Sequence, residues 1–233
     1  MARFLTTFLR HKKKETIYKL NLIVRYNMKK IYVFDFDGTL TSSDTLLSFI
    51  RYACGLWRFF LGFLLFSPLL VLMKLGFYSN YRVKQRVFSW YFRGMTKDDF
   101  DRTCRKFAHD KDFLMRPKAF EKLIDLFSTG ENICVVSASI DNWVRPFFDF
   151  FSRYSNSDFH VLCTQIEVDA NGIITGRFLT NNCYGQEKVE RLCQEFPMLR
   201  EHREIFHIEA YGDSRGDKEL LAFADEAHYK PFR

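Results

Sequence analysis

Four short apolar runs, spaced by stretches of helical period, constrain this 233-residue chain more than any other feature. Ile31–Phe34, Asn132–Val136, Phe159–Cys163 and Ile205–Ala210 are rich in Val, Ile and aromatic residues and carry almost no charge. Runs this apolar do not alternate between a wet and a dry face, so they read as strands buried on both sides, which is the habit of parallel sheets. Helical patterns lie around them at Lys118–Phe127, Ile140–Phe151, Glu187–Phe196 and Asp217–Ala224. Strands alternating with helices predict an α/β fold built on a doubly wound parallel sheet. A hairpin is expected at Gln165–Phe178, where Asn171-Gly172 supplies a primed turn, and it reads as a decoration of that sheet.

Nearly a hundred residues separate the first run from the second. A crossover needs about a dozen, so residues 43–115 are expected to form an inserted helical cap. The catalytic core would then comprise 28–42 and 116–233. Thr96 and Asp99 have the spacing of a capping box and mark the start of one cap helix. Within the insert, Phe59–Met73 is fifteen residues without a charge, flanked by Arg58 and Lys74 and interrupted by Pro68. A membrane-spanning helix needs about 20 apolar residues. Three readings of this run stay open: a buried pair of cap helices, a hairpin or interfacial helix dipping into one leaflet, or a transmembrane pass.

With 47% hydrophobic and 27% charged residues, the chain is not disordered, collagen-like or a disulfide scaffold. Its 27 Phe, 11 Tyr and 3 Trp are many, and call for apolar surface beyond an ordinary core. Phe147, Phe148, Phe150 and Phe151 read as core packing. Six of the seven net positive charges fall in residues 1–27, where seven basic side chains meet Glu15 alone. The body is therefore nearly neutral, and no nucleic-acid partner is expected. The basic arm reads either as a leader upstream of a start at Met28 or as a tether to an anionic membrane, at about 1 kcal/mol per basic residue. Cys54, Cys104, Cys134, Cys163, Cys183 and Cys193 show no zinc-ligand spacing and read as reduced thiols. No secretory signal is legible, so a cytoplasmic protein is expected, associated with the inner face of the membrane if the arm and the 59–73 run engage it.

Asp35 and Asp37 stand at the mouth of the first strand, where open α/β sheets bind ligands. Gly38 and Thr39 follow, in a turn whose successive N–H groups suit an anion. Ser137 ends the second run, and Asp213 ends the fourth with Asp217 four positions on. Lys188 lies on the helix before that fourth run. Each has an ordinary reading alone: a turn, an N-cap, a dipole complement, a surface lysine. Together they place four carboxylates, a hydroxyl and an amine around the strand ends, which suits a site where a phosphate and a divalent cation meet.

In order and spacing, Asp35-Phe36-Asp37-Gly38-Thr39, Ser137, Lys188 and Gly212-Asp213…Asp217 resemble the four motifs of the haloacid dehalogenase (HAD) superfamily of phosphohydrolases. The resemblance covers residues 30 to about 230, and the position of the insert is similar to the helical C1 cap of the phosphoserine-phosphatase-like branch. It implies a HAD-like, Rossmann-like core and a phosphoric monoester hydrolase. Asp35 would be the nucleophile that forms an aspartyl-phosphate, and Asp37 the general acid/base. Gly38, Thr39, Ser137, Ala138 and Lys188 would hold the phosphoryl group. Mg²⁺ would be bound by Asp35, the Asp37 backbone and Asp213, with Asp217 in support; an all-oxygen donor set favours a hard ion. Phosphoserine phosphatases carry Gly-Gly after the second-motif Ser, where this chain has Ala138-Ser139, and a Glu where it has Asp44. In Asp44, in the apolar cap segment and in Gly185-Gln186-Glu187-Lys188-Val189, the chain resembles phosphatidylglycerophosphatase C-like members. That likeness implies a lipid phosphate, with Asp44, Arg82, Lys84 and Arg86 as candidate substrate contacts from the cap. A soluble phosphatase of a small ester (phosphoserine-like or a sugar phosphate) and a non-catalytic membrane-associated module remain the alternatives.

Overall fold

A computed structural model describes residues 28–154 and 156–233; the basic arm lies outside the described residues. Its strands are β1 (Lys29–Phe34), β2 (Asn132–Ile140), β3 (Phe159–Thr164), β4 (Ile166–Val168), β5 (Ile174–Phe178), β6 (Phe206–Gly212) and β7 (Glu226–Tyr229). Five of them form one parallel sheet in the order β3-β2-β1-β6-β7. The helices are α1 (Thr45–Lys74), α2 (Asn80–Phe92), α3 (Lys97–Asp110), α4 (Pro117–Thr129), α5 (Asp141–Val144), α6 (Gln186–Glu195), α7 (Met198–Glu201) and α8 (Lys218–Phe223). The doubly wound parallel sheet is thus present.

The strand residues sort by alternation onto two buried faces. Ile31 and Val33 pack with Val189, Leu192 and Leu220 on one side. Tyr32 and Phe34 pack on the other with Leu123, Phe127, Phe148 and Phe151. α4 shows how local sequence sets its bounds: Pro117 starts it, and Gly130 ends it in the left-handed conformation at φ 73°. The chain winds outward from β1 to β3 on one side and from β6 to β7 on the other. β1 and β6 therefore meet at the switch point, and both end in acidic turns.

α1, α2 and α3 form the insert, held together by rings. Phe49 lies 4.8 Å from Trp143 and 5.2 Å from Phe107, between ring centroids, with Phe92 and Phe100 at 5.5 and 5.6 Å. Part of the aromatic excess is accounted for there, and Trp143 on α5 fastens the cap to the core. Phe148 and Phe151 are buried as expected, while Phe150 stays partly exposed.

Several elements differ from the sequence reading. The hairpin β4–β5 is a separate two-stranded sheet that joins the cap instead of decorating the main one. Gly94 N donates to Ile174 O, Ile174 N to Met95 O, and Phe178 N to Gln85 Oε1. Ile140–Phe151 is not one helix: Pro146 removes an N–H from the ladder, and α5 gives way to a 3₁₀ helix over Arg145–Arg153. β2 runs on through Ser137 to Ile140. The apolar run does not break at Pro68, because the Leu64 carbonyl that Pro68 leaves without its N–H accepts from Ser67 Oγ at 2.9 Å. α1 kinks instead at Gly55, where φ is 76°. Nor is the run a buried helix pair: only 6% of the most apolar 18-residue window of α1 is buried. Trp57 is 90% exposed, Leu64 72% and Phe60 59%. By length and composition α1 could cross a membrane.

Candidate active site

β1 delivers Asp35 to the switch point, where its backbone N–H donates to Tyr211 O of β6 at 2.9 Å and locks the two strand ends together. Its side chain is almost wholly buried. Lys188, near the start of α6, sends Nζ to Asp35 Oδ1 at 2.5 Å and to Asp217 Oδ1 at 2.5 Å. Thr39 Oγ1 donates to Asp35 Oδ2 at 3.2 Å. Burial nevertheless pushes the Asp35 carboxyl up to about 7, against the pull of Lys188 and with help from the nearby Asp217 and Asp37 charges. The same lysine is buried, which would favour its neutral form, but Asp35 and Asp217 hold it charged and raise its pKa.

Asp37 is held from both sides. Thr45 donates to Oδ1 through its N–H (2.7 Å) and its hydroxyl (2.6 Å), and Ser139 Oγ donates to Oδ2. Burial, then the charge of Asp44, raises its pKa against those hydrogen bonds, which favours a carboxyl able to carry a proton. Gly38 must be glycine twice over: its φ is +78°, and a Cβ there would lie 2.5 Å from Asp213 Oδ2.

Asp217 is fully buried, and its Oδ2 accepts from Asp213 N (3.1 Å), Ser214 N (2.9 Å) and Ser214 Oγ (2.8 Å). Burial opposes its ionisation, but Lys188 and Ser214 hold its pKa below the usual carboxylate range. Asp213 is pushed up by burial, with the guanidinium of Arg233, paired to its Oδ2, pulling the other way. Oxygens of Asp35, Asp213 and Asp217 lie within 4.8 Å of one another. Three carboxylates so close, with no sulfur or imidazole, fit a hard divalent cation. Asp217 already accepts from Lys188, Asp213 and Ser214, so its larger part is to anchor Lys188 and the Asp213 turn.

Asp35, Asp37, Gly38, Asp44, Lys84, Ser137, Ala138, Lys188 and Asp213 all line one cleft of about 780 Å³ between core and cap. Asp44 is the N-cap of α1, accepting from Leu46 N at 2.8 Å. Lys84 crosses from α2 to donate to Ala138 O at 2.7 Å. Arg82 and Arg86 are not brought to the cleft: both are exposed, and Arg86 sits over the Tyr78 ring at 5.3 Å. The far wall is apolar, formed by Ile50, Phe59, Phe63, Phe66, Leu70 and Val87 among others.

Three contributors were not singled out in the sequence. Ser139 lies two positions beyond Ser137, so a strand continued by two residues would have put both hydroxyls on one face. Thr45 looks like any first helical residue, and Arg233 reaches Asp213 from twenty positions away; neither carries a local signal.

The haloacid dehalogenase-like hydrolase family model matches residues 32–222. Protein CicA of Caulobacter vibrioides is 32% identical over 206 residues, which is 87% of this chain and 86% of that protein. Among solved structures, a protein of unknown function from Bordetella pertussis Tohama I superposes with a TM-score of 0.69 at 18% identity, covering 84% of this chain and 86% of that one. A substrate-bound phosphoserine phosphatase follows at TM-score 0.55 and 17% identity, covering 84% and 83%. These two likenesses concern the fold. With the four motif clusters meeting at the β1–β6 switch point and the family match spanning most of the sequence, the chain belongs to the haloacid dehalogenase-like hydrolases.

Proposed function

We propose that the protein is a Mg²⁺-dependent phosphatase that works through a phosphorylated Asp35 and takes a lipid phosphate as substrate. One observation carries this reading: the cleft that holds Asp35, Asp37, Ser137 and Lys188 continues without interruption along the apolar side chains of α1. A phosphate head group would sit at the polar end and acyl chains along Phe59, Phe63 and Phe66. The outward face of the same helix is exposed and apolar, as peripheral contact with a membrane through 59–73 requires; the basic arm would add an electrostatic tether.

In the first step an Asp35 carboxylate oxygen attacks phosphorus, the P–O bond to the alcohol breaks, and Asp37 gives the leaving oxygen a proton. In the second, Asp37 takes a proton from water as that water attacks the aspartyl-phosphate, releasing phosphate and regenerating the Asp35 carboxylate and the protonated Asp37. Lys188 holds positive charge against the phosphoryl oxygens and Ser137 offers a hydroxyl, so the charge that builds up is met by groups already in place. Mg²⁺ held by Asp35 and Asp213, with Asp217 behind them, would supply further neutralisation of that charge. Thr45 and Ser139 fix Asp37 for both proton transfers. From the cap, Lys84 would meet a second anionic group of the substrate.

The test is phosphate release with Mg²⁺ from phosphatidylglycerophosphate and phosphatidic acid in mixed micelles, beside phosphoserine, sugar phosphates and an aryl phosphate. Preference for the lipids is expected. Preference for the soluble esters would reassign the enzyme to a small phosphomonoester, and no release from any of them would leave a non-catalytic module.

A further inference from the structure

At the β7 edge of the sheet, away from the catalytic carboxylates, a second group of metal-ligating side chains converges. β6 and β7 run in parallel register with Glu209 beside Glu226 and Tyr211 beside His228. Alternation puts His207, Glu209, Tyr211, Glu226 and His228 on one face. Two carboxylates directly opposite each other are a destabilising pair unless something positive lies between them. Ligand atoms of Glu209, Glu226 and His228 all fall within 4.8 Å of one another. His228 Nε2 is shielded from solvent and has no hydrogen-bond partner, although it lies 3.2 Å from Glu209 Oε1. That nitrogen therefore faces the carboxylates without an aligned hydrogen bond, on a side chain that is itself 38% exposed. The ring is already fixed by stacking on Tyr211, at 4.5 Å between centroids and 18° between planes. The Tyr211 hydroxyl in turn donates to Glu209 Oε1, and His207 Nε2 lies 3.2 Å from Glu226 Oε1.

We propose that Glu209, Glu226 and His228 form a Zn²⁺ site, with His207 steadying Glu226. An imidazole with two carboxylates is a donor set that suits zinc and not Mg²⁺. Bonds of about 2.1 Å to a tetrahedral ion place ligand atoms about 3.4 Å apart, which the long Glu side chains reach by small rotations. The ion neutralises the facing carboxylates and occupies the orphaned nitrogen at once. It also ties down the strand that leads into the catalytic cleft. Directly after β7, Lys230 N donates to Gly212 O at 2.8 Å, Phe232 stacks on Tyr211 at 5.6 Å, and Arg233 pairs with Asp213. The site is structural, acting on how firmly that segment closes over the Asp213 turn.

The full chain, stripped with a chelator and returned to excess Mg²⁺ so that the oxygen-only carboxylates are occupied, is titrated with Zn²⁺ by calorimetry. One Zn²⁺ per chain and a higher melting temperature are expected. His228→Ala and Glu226→Gln should each weaken binding about tenfold or more, while Asp213→Asn leaves it unchanged. Co²⁺ in place of Zn²⁺ reads the geometry of the unmutated chain directly, and the absorption of a four-coordinate, imidazole-bearing site is expected. The proposal is overturned by no Zn²⁺ uptake, by uptake that survives both edge variants, by uptake lost in Asp213→Asn, or by a six-coordinate all-oxygen Co²⁺ spectrum.

Discussion

Replacing Asp35 by Asn should abolish hydrolysis and at the same time stabilise the cation-free protein at neutral pH. The second effect follows from burial. In the folded chain the Asp35 carboxyl titrates at about 7 against an ordinary 3.8. Below about pH 4 it is protonated whether the chain is folded or not, and it costs nothing. Between 4 and 7 the unfolded chain releases the proton first, so folding becomes progressively less favourable; above 7 the whole penalty stands. A difference of roughly 3 units corresponds to about 4 kcal/mol, a ceiling because Lys188 also serves Asp217, so ~2–4 kcal/mol is the working figure. Asn keeps the size of the side chain and carries no such penalty, and Lys188 keeps its partner Asp217 at 2.5 Å. Unfolding midpoints in urea, measured in chelator at pH 3.5 and pH 8, should therefore nearly coincide at the lower pH and favour Asp35→Asn at the higher. In thermal unfolding that is a gain of about 5–15 °C. A wild-type chain that is the more stable of the two at pH 8 would refute the argument, since pairing with Lys188 would then outweigh burial. Residual turnover in Asp35→Asn would separately remove Asp35 as the nucleophile.

Two further outcomes concern the cap. Lys84→Met removes the charged bond to Ala138 O at 2.7 Å, and the KM for the preferred ester should rise tenfold or more while kcat changes little; steady-state kinetics reads the split. Gly62→Ala would set a Cβ 2.0 Å from the Tyr91 hydroxyl, which bonds the Phe59 carbonyl at 3.2 Å, so α1 must move off α2. Overpacking should outweigh the helical advantage of Ala, and a net loss of ~1–2 kcal/mol is expected in the urea midpoint.

What the sequence made legible was chemistry written in adjacent residues. Asp35-Phe36-Asp37-Gly38-Thr39 follows an apolar strand, and a strand end is where a parallel sheet exposes side chains to a ligand; the motif and its place in the fold come together. β7 was not legible, because its four residues are mostly exposed and carry no apolar run. The Glu209–Glu226 pairing exists only through that missing strand. The kink in α1 was misplaced because proline is the stronger local signal, yet Ser67 satisfies the carbonyl that Pro68 strands, while Gly55 turns the chain with φ 76°. The Asn171-Gly172 turn specifies a hairpin without saying what it packs on, so the sequence alone does not separate the main sheet from the cap as its partner.

The position of that kink divides α1 into two working parts. Before Gly55, Thr45 is bound twice to Asp37, while Phe49 and Ile50 are buried in the aromatic core of the cap. After it, Trp57, Phe60, Leu64 and Leu65 face outward, while Phe59, Phe63 and Phe66 line the cleft. The segment thus starts beside Asp37 and ends as an exposed apolar surface, with the Gly55 kink between its two parts. An apolar phase gripping residues 59–73 would act on the part after the kink, while the part before it supplies, through Thr45, two of the hydrogen bonds holding Asp37. Burial and the Asp44 charge raise the pKa of Asp37, while the hydrogen bonds from Ser139 and from Thr45 pull it down. In the mechanism proposed above, the apolar face and the protonation of the leaving oxygen are served by one segment, Thr45–Lys74, with Gly55 as the joint between them.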